Sequence, residues 1–118
     1  MHEIRLELAR DHDFPQGSAR HGYVLRAPLD GQGRLDREAW RSHATACTVE
    51  RFWDGEDERH GRLVHGRHGW IFTYGGDDED EPLFRLADHV FKEGEYLSVS
   101  EPDGVQRTFR VVRVTRAA

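Results

Sequence analysis

Among its 118 residues the chain has one cysteine, one methionine, one lysine and no asparagine. Cys47 alone cannot form an intrachain disulfide, so the fold has to be held by its core. No apolar run approaches the roughly 18 residues that span a bilayer. The opening stretch MHEIRLELARDHD has no apolar h-region, which argues against a secretory leader. The chain also lacks an excess of positive charge: 22 acids against 17 bases give a formal charge of -5. Modules for nucleic acid or anionic membranes are normally basic, so both are disfavoured. A cytoplasmic domain without membrane contact is the expectation that remains.

What is present suits one domain, 1–118. Apolar residues make up 36% and charged residues 33%, leaner than a typical globular chain. Three Trp, three Tyr and six Phe supply the bulk for a core. The acidity is local. Residues 1–53 balance at 8 acids and 8 bases, whereas 54–81 carry 9 acids against 3 bases, or -6. It comes from two stretches, Asp54, Glu56, Asp57 and Glu58 around Gly55, and Asp77, Asp78, Glu79, Asp80 and Glu81. Neither holds an apolar side chain, so both read as exposed loops.

Period-two alternation dominates. Over 2–9, Ile4, Leu6 and Leu8 share one face, and over 20–27 His21, Tyr23 and Leu25 do the same. Asp36 has the chemistry of an N-cap, and Trp40, His43, Ala44 and Cys47 then follow at helical spacing, predicting a helix over about 36–46. Hairpins are predicted over about 48–74 and 95–115, with a short strand near 83–86. In the last strand Phe109, Val111 and Arg113 are expected on one face, and Arg110, Val112 and Val114 on the other. About seven strands with one inserted helix predict a small antiparallel β-barrel, or a strongly curled sheet, with that helix as cover.

The segment Phe91-Lys92-Glu93-Gly94-Glu95-Tyr96-Leu97-Ser98-Val99 is similar to the strand that opens the flavin-binding barrel of ferredoxin-reductase-like enzymes. The similarity spans nine residues, has Glu95 where that pattern prefers Gln, and lacks the Arg-x-Tyr-Ser flavin motif downstream. It is read as barrel architecture, and no cofactor is predicted from it.

Eight histidines make metal the first chemistry to weigh. His43 and Cys47 lie four apart on the predicted helix, and His65 and His68 flank a predicted turn; together they are the candidate ligands for zinc or another divalent metal. The contiguous acids at 77–81 do not have the alternating spacing of a calcium loop. No G-x-S-x-G elbow surrounds Ser18, Ser42, Ser98 or Ser100, and Gly75-Gly76 runs into acids that repel phosphate. Phe52, Trp53, Trp70, Phe72 and Tyr74 would stack single-stranded nucleic acid only if they face outward.

The reading that follows is a non-catalytic binding or protein-interaction module for a protein or small polar ligand. Its acidic loops face outward, and their attraction to a basic surface falls with salt. The alternatives are a metal protein or metal-dependent enzyme using the His/Cys set, and a single-stranded nucleic-acid binder. A last strand with a free edge would permit a homodimer.

Overall fold

The structure, a computed structural model, describes residues 1–67, 69–74, 83–86, 90–101 and 104–116, with 83–86 described as backbone only. Eight strands lie among them: β1 (His2–Leu8), β2 (Ser18–Ala27), β3 (Thr48–Trp53), β4 (Arg59–Gly66), β5 (Gly69–Thr73), β6 (Leu83–Leu86), β7 (Tyr96–Ser100) and β8 (Gln106–Arg116). Each pairs antiparallel with the next, and β8 returns to pair with β1, so the sheet closes into a barrel. The short strand β6 brings the number to eight. It pairs with β5 over four residues and with β7 over only two, which makes the β6–β7 ladder the shortest in the barrel.

The alternation read from the sequence sets the interior. Ile4, Leu6, Tyr23, Leu25, Val49, Leu63, Phe72, Leu97, Val99, Phe109 and Val111 are fully buried and fill the barrel with side chains. Tyr23 anchors this packing, its ring centroid 5.1 Å from both Phe72 and Phe109. Apolar area removed from water at roughly 25 cal/mol per Å² drives the collapse, and antiparallel pairing absorbs the backbone polar groups.

Two expectations are corrected in β8. Arg113 does not share the face of Phe109 and Val111: the β1–β8 register slips between Arg5 and Leu6, so that Arg5 faces Arg113 but Leu6 faces Val111. The extra residue, Val112, is a bulge, and one added residue moves everything beyond it to the other face. Arg113 is therefore exposed, and Val114 packs against the core instead. Nor is β8 a free edge for a homodimer. Residues 106–110 pair with β7 and 109–116 with β1, while the backbone N–H of Val114 donates to the Glu93 carboxylate at 3.2 Å.

The helix is shorter than expected. α1 spans Arg37–Ser42, with the Asp36 carboxylate accepting from the Ala39 N–H at 3.0 Å. It gives way at His43 (φ -133°, ψ 30°) to a single 3₁₀ turn at Ala44–Ala46. The chain has to drop into β3 at Thr48, and a tighter turn accomplishes this where a full α-turn would overshoot. The Trp40 indole N–H donates to the Leu63 carbonyl at 2.8 Å and pins the helix to β4.

Two glycines mark where neighbouring strands come too close for a side chain. A Cβ at Gly22 would run into the Leu6 carbonyl oxygen, and one at Gly61 into that of Thr73. Backbone cannot retreat as a flexible side chain can. Gly22→Ala is therefore expected to destabilise the fold by about 1–3 kcal/mol. Urea unfolding reads this out, and an unchanged midpoint would disprove the close approach.

Candidate functional site

The β1–β2 ladder breaks near one end of the barrel. Glu7 faces Gly22, yet the next residue, Leu8, faces Ser18, which leaves residues 19–21 outside the ladder with β1. Bulges re-aim side chains, and this one turns His21 inward to 7% exposure. The Arg20 backbone N–H donates to the Ser18 hydroxyl oxygen at 3.1 Å, and that oxygen stands 2.6 Å from His21 Nδ1. Ser18 and His21 thus share a hydrogen bond whose direction is set by the imidazole tautomer. Phe14 and Trp53 each lie 4.5 Å from the imidazole, centroid to centroid. Burial holds the His21 pKa below its ordinary value; Arg51 and Arg107 push the same way, while Asp54 and Glu56 oppose them.

Beside this cluster, charge enters the barrel. Arg51 occupies an inward position on β3, and its Nε lies 3.7 Å from the Glu101 carboxylate; the two side chains are 10% and 4% exposed. The Tyr23 hydroxyl donates to the same carboxylate at 3.0 Å. The Arg51 guanidinium also reaches Glu56 at 3.1 Å and lies 4.3 Å over the Trp53 ring. Burial, the largest single effect, lowers the Arg51 pKa, but Glu101, Tyr23 and Glu56 together outweigh it and the net direction is up. Burial raises the phenols of Tyr23 and Tyr74, so both stay neutral hydroxyls.

Arg107 on β8 clasps the loop 9–17 that crosses this end. It contacts Asp11 at 2.9 Å and Asp13 at 3.0 Å. The clasp holds the loop that walls a cleft of about 580 Å³ on the outside of the barrel, lined also by residues of β1, β2, β7 and β8. Its polar lining includes Glu7, Arg10, Gln16, Tyr96, Thr108 and Arg110. Tyr96, Arg110 and Glu7 form one row across β7, β8 and β1. Tyr96 is 57% exposed, and Glu7 is engaged by Arg5 at 2.8 Å.

The sequence candidates are distributed differently. His43 is exposed, with Nδ1 3.2 Å from the Ala39 carbonyl, whereas Cys47 is fully buried and its thiol donates to the His43 carbonyl at 3.3 Å. Burial pushes that thiol's pKa up, away from the thiolate a metal needs. His65 packs edge-on against Trp70 at 4.9 Å. His68 lies outside the described residues, as do Asp77, Asp78, Glu79, Asp80 and Glu81. Asp54, Glu56, Asp57 and Glu58 are exposed, with Asp54 3.9 Å from Arg20 and Glu56 on Arg51.

Among the described residues, the three side chains that place metal-ligating atoms within 4.8 Å of one another are Glu50, Glu58 and His60. Glu50 and His60 face each other across β3 and β4, and Glu58 ends the turn between those strands. A hydrogen bond shared with Glu58, then burial, raises the Glu50 pKa. They adjoin a second groove of about 470 Å³.

The chain matches no family model, no curated protein and no solved structure, so its function has to be argued from these sites. No helix among the described residues is long and apolar enough to cross a membrane. Arg51, Glu101 and the cleft residues Arg10, Tyr96 and Arg110 were not among the sequence candidates. For Arg51 a signal existed, a charge in the inward phase of Val49, Arg51 and Trp53. The cleft residues are contributed by three separate segments and carried none.

Because the His21 pKa is lowered on folding, the unfolded chain binds its proton first as pH falls below the ordinary value of 6.5. Stability is thus expected to decline as pH falls below about 6.5, and His21→Gln should flatten that slope. Denaturation midpoints across this range test the assignment; identical slopes for both proteins would refute it.

Proposed function

We propose that this barrel is a binding module without chemistry of its own, and that its recognition surface is the cleft walled by the 9–17 loop. The observation that carries the reading is a preorganised concavity of about 580 Å³, within the range of small-molecule sites, on a barrel whose interior is filled. Closure also matters, because a β-strand partner needs an unpaired edge and β1 and β8 spend theirs on each other. Recognition then falls to side chains, which suits a small polar ligand or a protein loop. The exposed acids at 54–58 add steering toward a basic partner, with an on-rate that falls with salt. A cytoplasmic setting belongs to this proposal, since the buried thiol of Cys47 requires no oxidising compartment.

A screen of polar fragments followed by amide chemical shifts tests this. Hits should cluster on Gln16, Tyr96 and Arg110. Hits confined to other faces, or no hits at all, would overturn the cleft as the recognition surface.

A metal-binding reading stands second, moved from the His/Cys set to Glu50, Glu58 and His60 by their proximity. Two carboxylates that share a proton would be relieved by a cation, and an imidazole nitrogen suits zinc. Zinc should shift the His60 ring resonances saturably, and His60→Ala should weaken binding at least about tenfold. A linear, non-saturating response would remove this reading. The nucleic-acid reading gains nothing, because Trp70 and Tyr74 are buried, Phe72 is fully buried, and Arg5 lies 4.4 Å over the Phe52 ring.

A further inference from the structure

The charges around the cleft are not those of the whole chain. The molecule carries a formal charge of -5, yet two arginines line this concavity, Arg10 and Arg110. Both are exposed, and neither makes an ion pair or side-chain hydrogen bond among the described residues. Arg110 sits between Tyr96 and Glu7 in the row across three strands, and Glu7 is the nearest acid available to it by register. That acid is already engaged: Arg5 Nε holds its carboxylate at 2.8 Å, and Arg5 is itself tied to the Ala19 carbonyl at 3.2 Å. The one acid among the described lining residues is thereby neutralised, and two planar guanidinium groups are left facing one space.

A guanidinium recognises carboxylate and phosphate through paired N–H donors, and does so with more direction than an ammonium. Beside Arg110, the Tyr96 ring stands 57% exposed on the neighbouring strand. An exposed aromatic face next to a cation is a stacking position for a flat ligand whose charge the cation then meets. Gln16 and Thr108 line the same space and offer neutral hydrogen-bonding groups. The aliphatic part of the described lining is Leu8, Val112 and two alanines, and Leu8 is buried in the core, so a purely apolar ligand has little to gain there.

We infer that the cleft selects a small ligand combining a planar ring with an anionic group, a carboxylate or a phosphate, with Arg10 and Arg110 on the anion and Tyr96 on the ring. The inference rests on the cleft being the recognition surface. It differs from that reading in specifying charge and shape, and it can fail alone.

Amide chemical-shift titrations of the full chain with phenyl phosphate, benzoate, benzyl alcohol and inorganic phosphate separate these possibilities. Phenyl phosphate or benzoate should shift Tyr96, Arg110 and Gln16 saturably, and whichever binds tighter identifies the anion. Benzyl alcohol should bind at least about tenfold more weakly, as should either anion to the Arg10→Gln/Arg110→Gln double variant. Tyr96→Ala should erase the advantage of phenyl phosphate over inorganic phosphate. All three positions are exposed, and the dispersion of the variants' amide spectra verifies that they remain folded. Equal affinity for benzyl alcohol and the anions, or full binding by the double variant, would overturn the anion selectivity while leaving the cleft as a recognition surface. If no probe, charged or neutral, shifts the cleft resonances, both fall together.

Discussion

The ladder between β1 and β8 is the constraint on which the rest of the molecule depends. By joining the last strand to the first it removes the sheet's open edges and divides every strand into an inward and an outward face. Apolar side chains at alternate positions then have one place to go, and they fill it. The same closure transmits irregularities. The bulge at Val112 redirects the end of β8, and the break between Glu7 and Leu8 swings three residues of β2 away from β1. A barrel accommodates such breaks because its remaining ladders keep the strands in register.

Charge is tolerated inside this barrel only in company. Glu101 is buried where one of its carboxylate oxygens meets both the Arg51 guanidinium and the Tyr23 hydroxyl, a cation and a donor that offset part of the cost of burying the charge. Arg51 in turn emerges toward Glu56 and Trp53, joining the interior to the surface. Such a pair gives little net stability over an apolar one, but losing one member would strand the other, typically at about 3–5 kcal/mol. The cluster therefore holds the geometry of the end that carries His21, Phe14 and the loop clasped by Arg107. The cleft lies between that loop and the strands, and the Arg107 contacts to Asp11 and Asp13 hold its loop wall.

The acidity that stands out in the composition has a divided role. In the first acidic stretch, Glu56 is a structural partner of Arg51, and Glu58 lies 3.8 Å from His60. These acids are exposed but engaged, as local electrostatics would arrange near buried or clustered cations. The cleft is the complementary case: among the described residues its arginines pair with no acid. Local pairing, more than net charge, decides which groups remain available to a ligand.

Much of the fold was legible in the chain. The inward faces of β1 and β2, the Asp36 cap, the antiparallel hairpins and the barrel all follow from rules acting within a few residues: period-two burial, a carboxylate at free amides, and glycine at tight turns. The helix was read four residues too long, and Arg113 was put on the wrong face, because a transition to 3₁₀ and a one-residue bulge leave no mark in hydrophobic spacing. His43 and Cys47 share a helical face on paper, but the chain tightens into a 3₁₀ turn between them and buries one while exposing the other. Sequence alone determined which side chains turn inward and which segments turn back. Only tertiary structure decided that Arg51 meets Glu101 across fifty residues, that Arg5 takes Glu7, and that Arg10 and Arg110 share one cleft. Those pairings depend on which strands closure makes neighbours, and register across a ladder is not encoded by either strand alone.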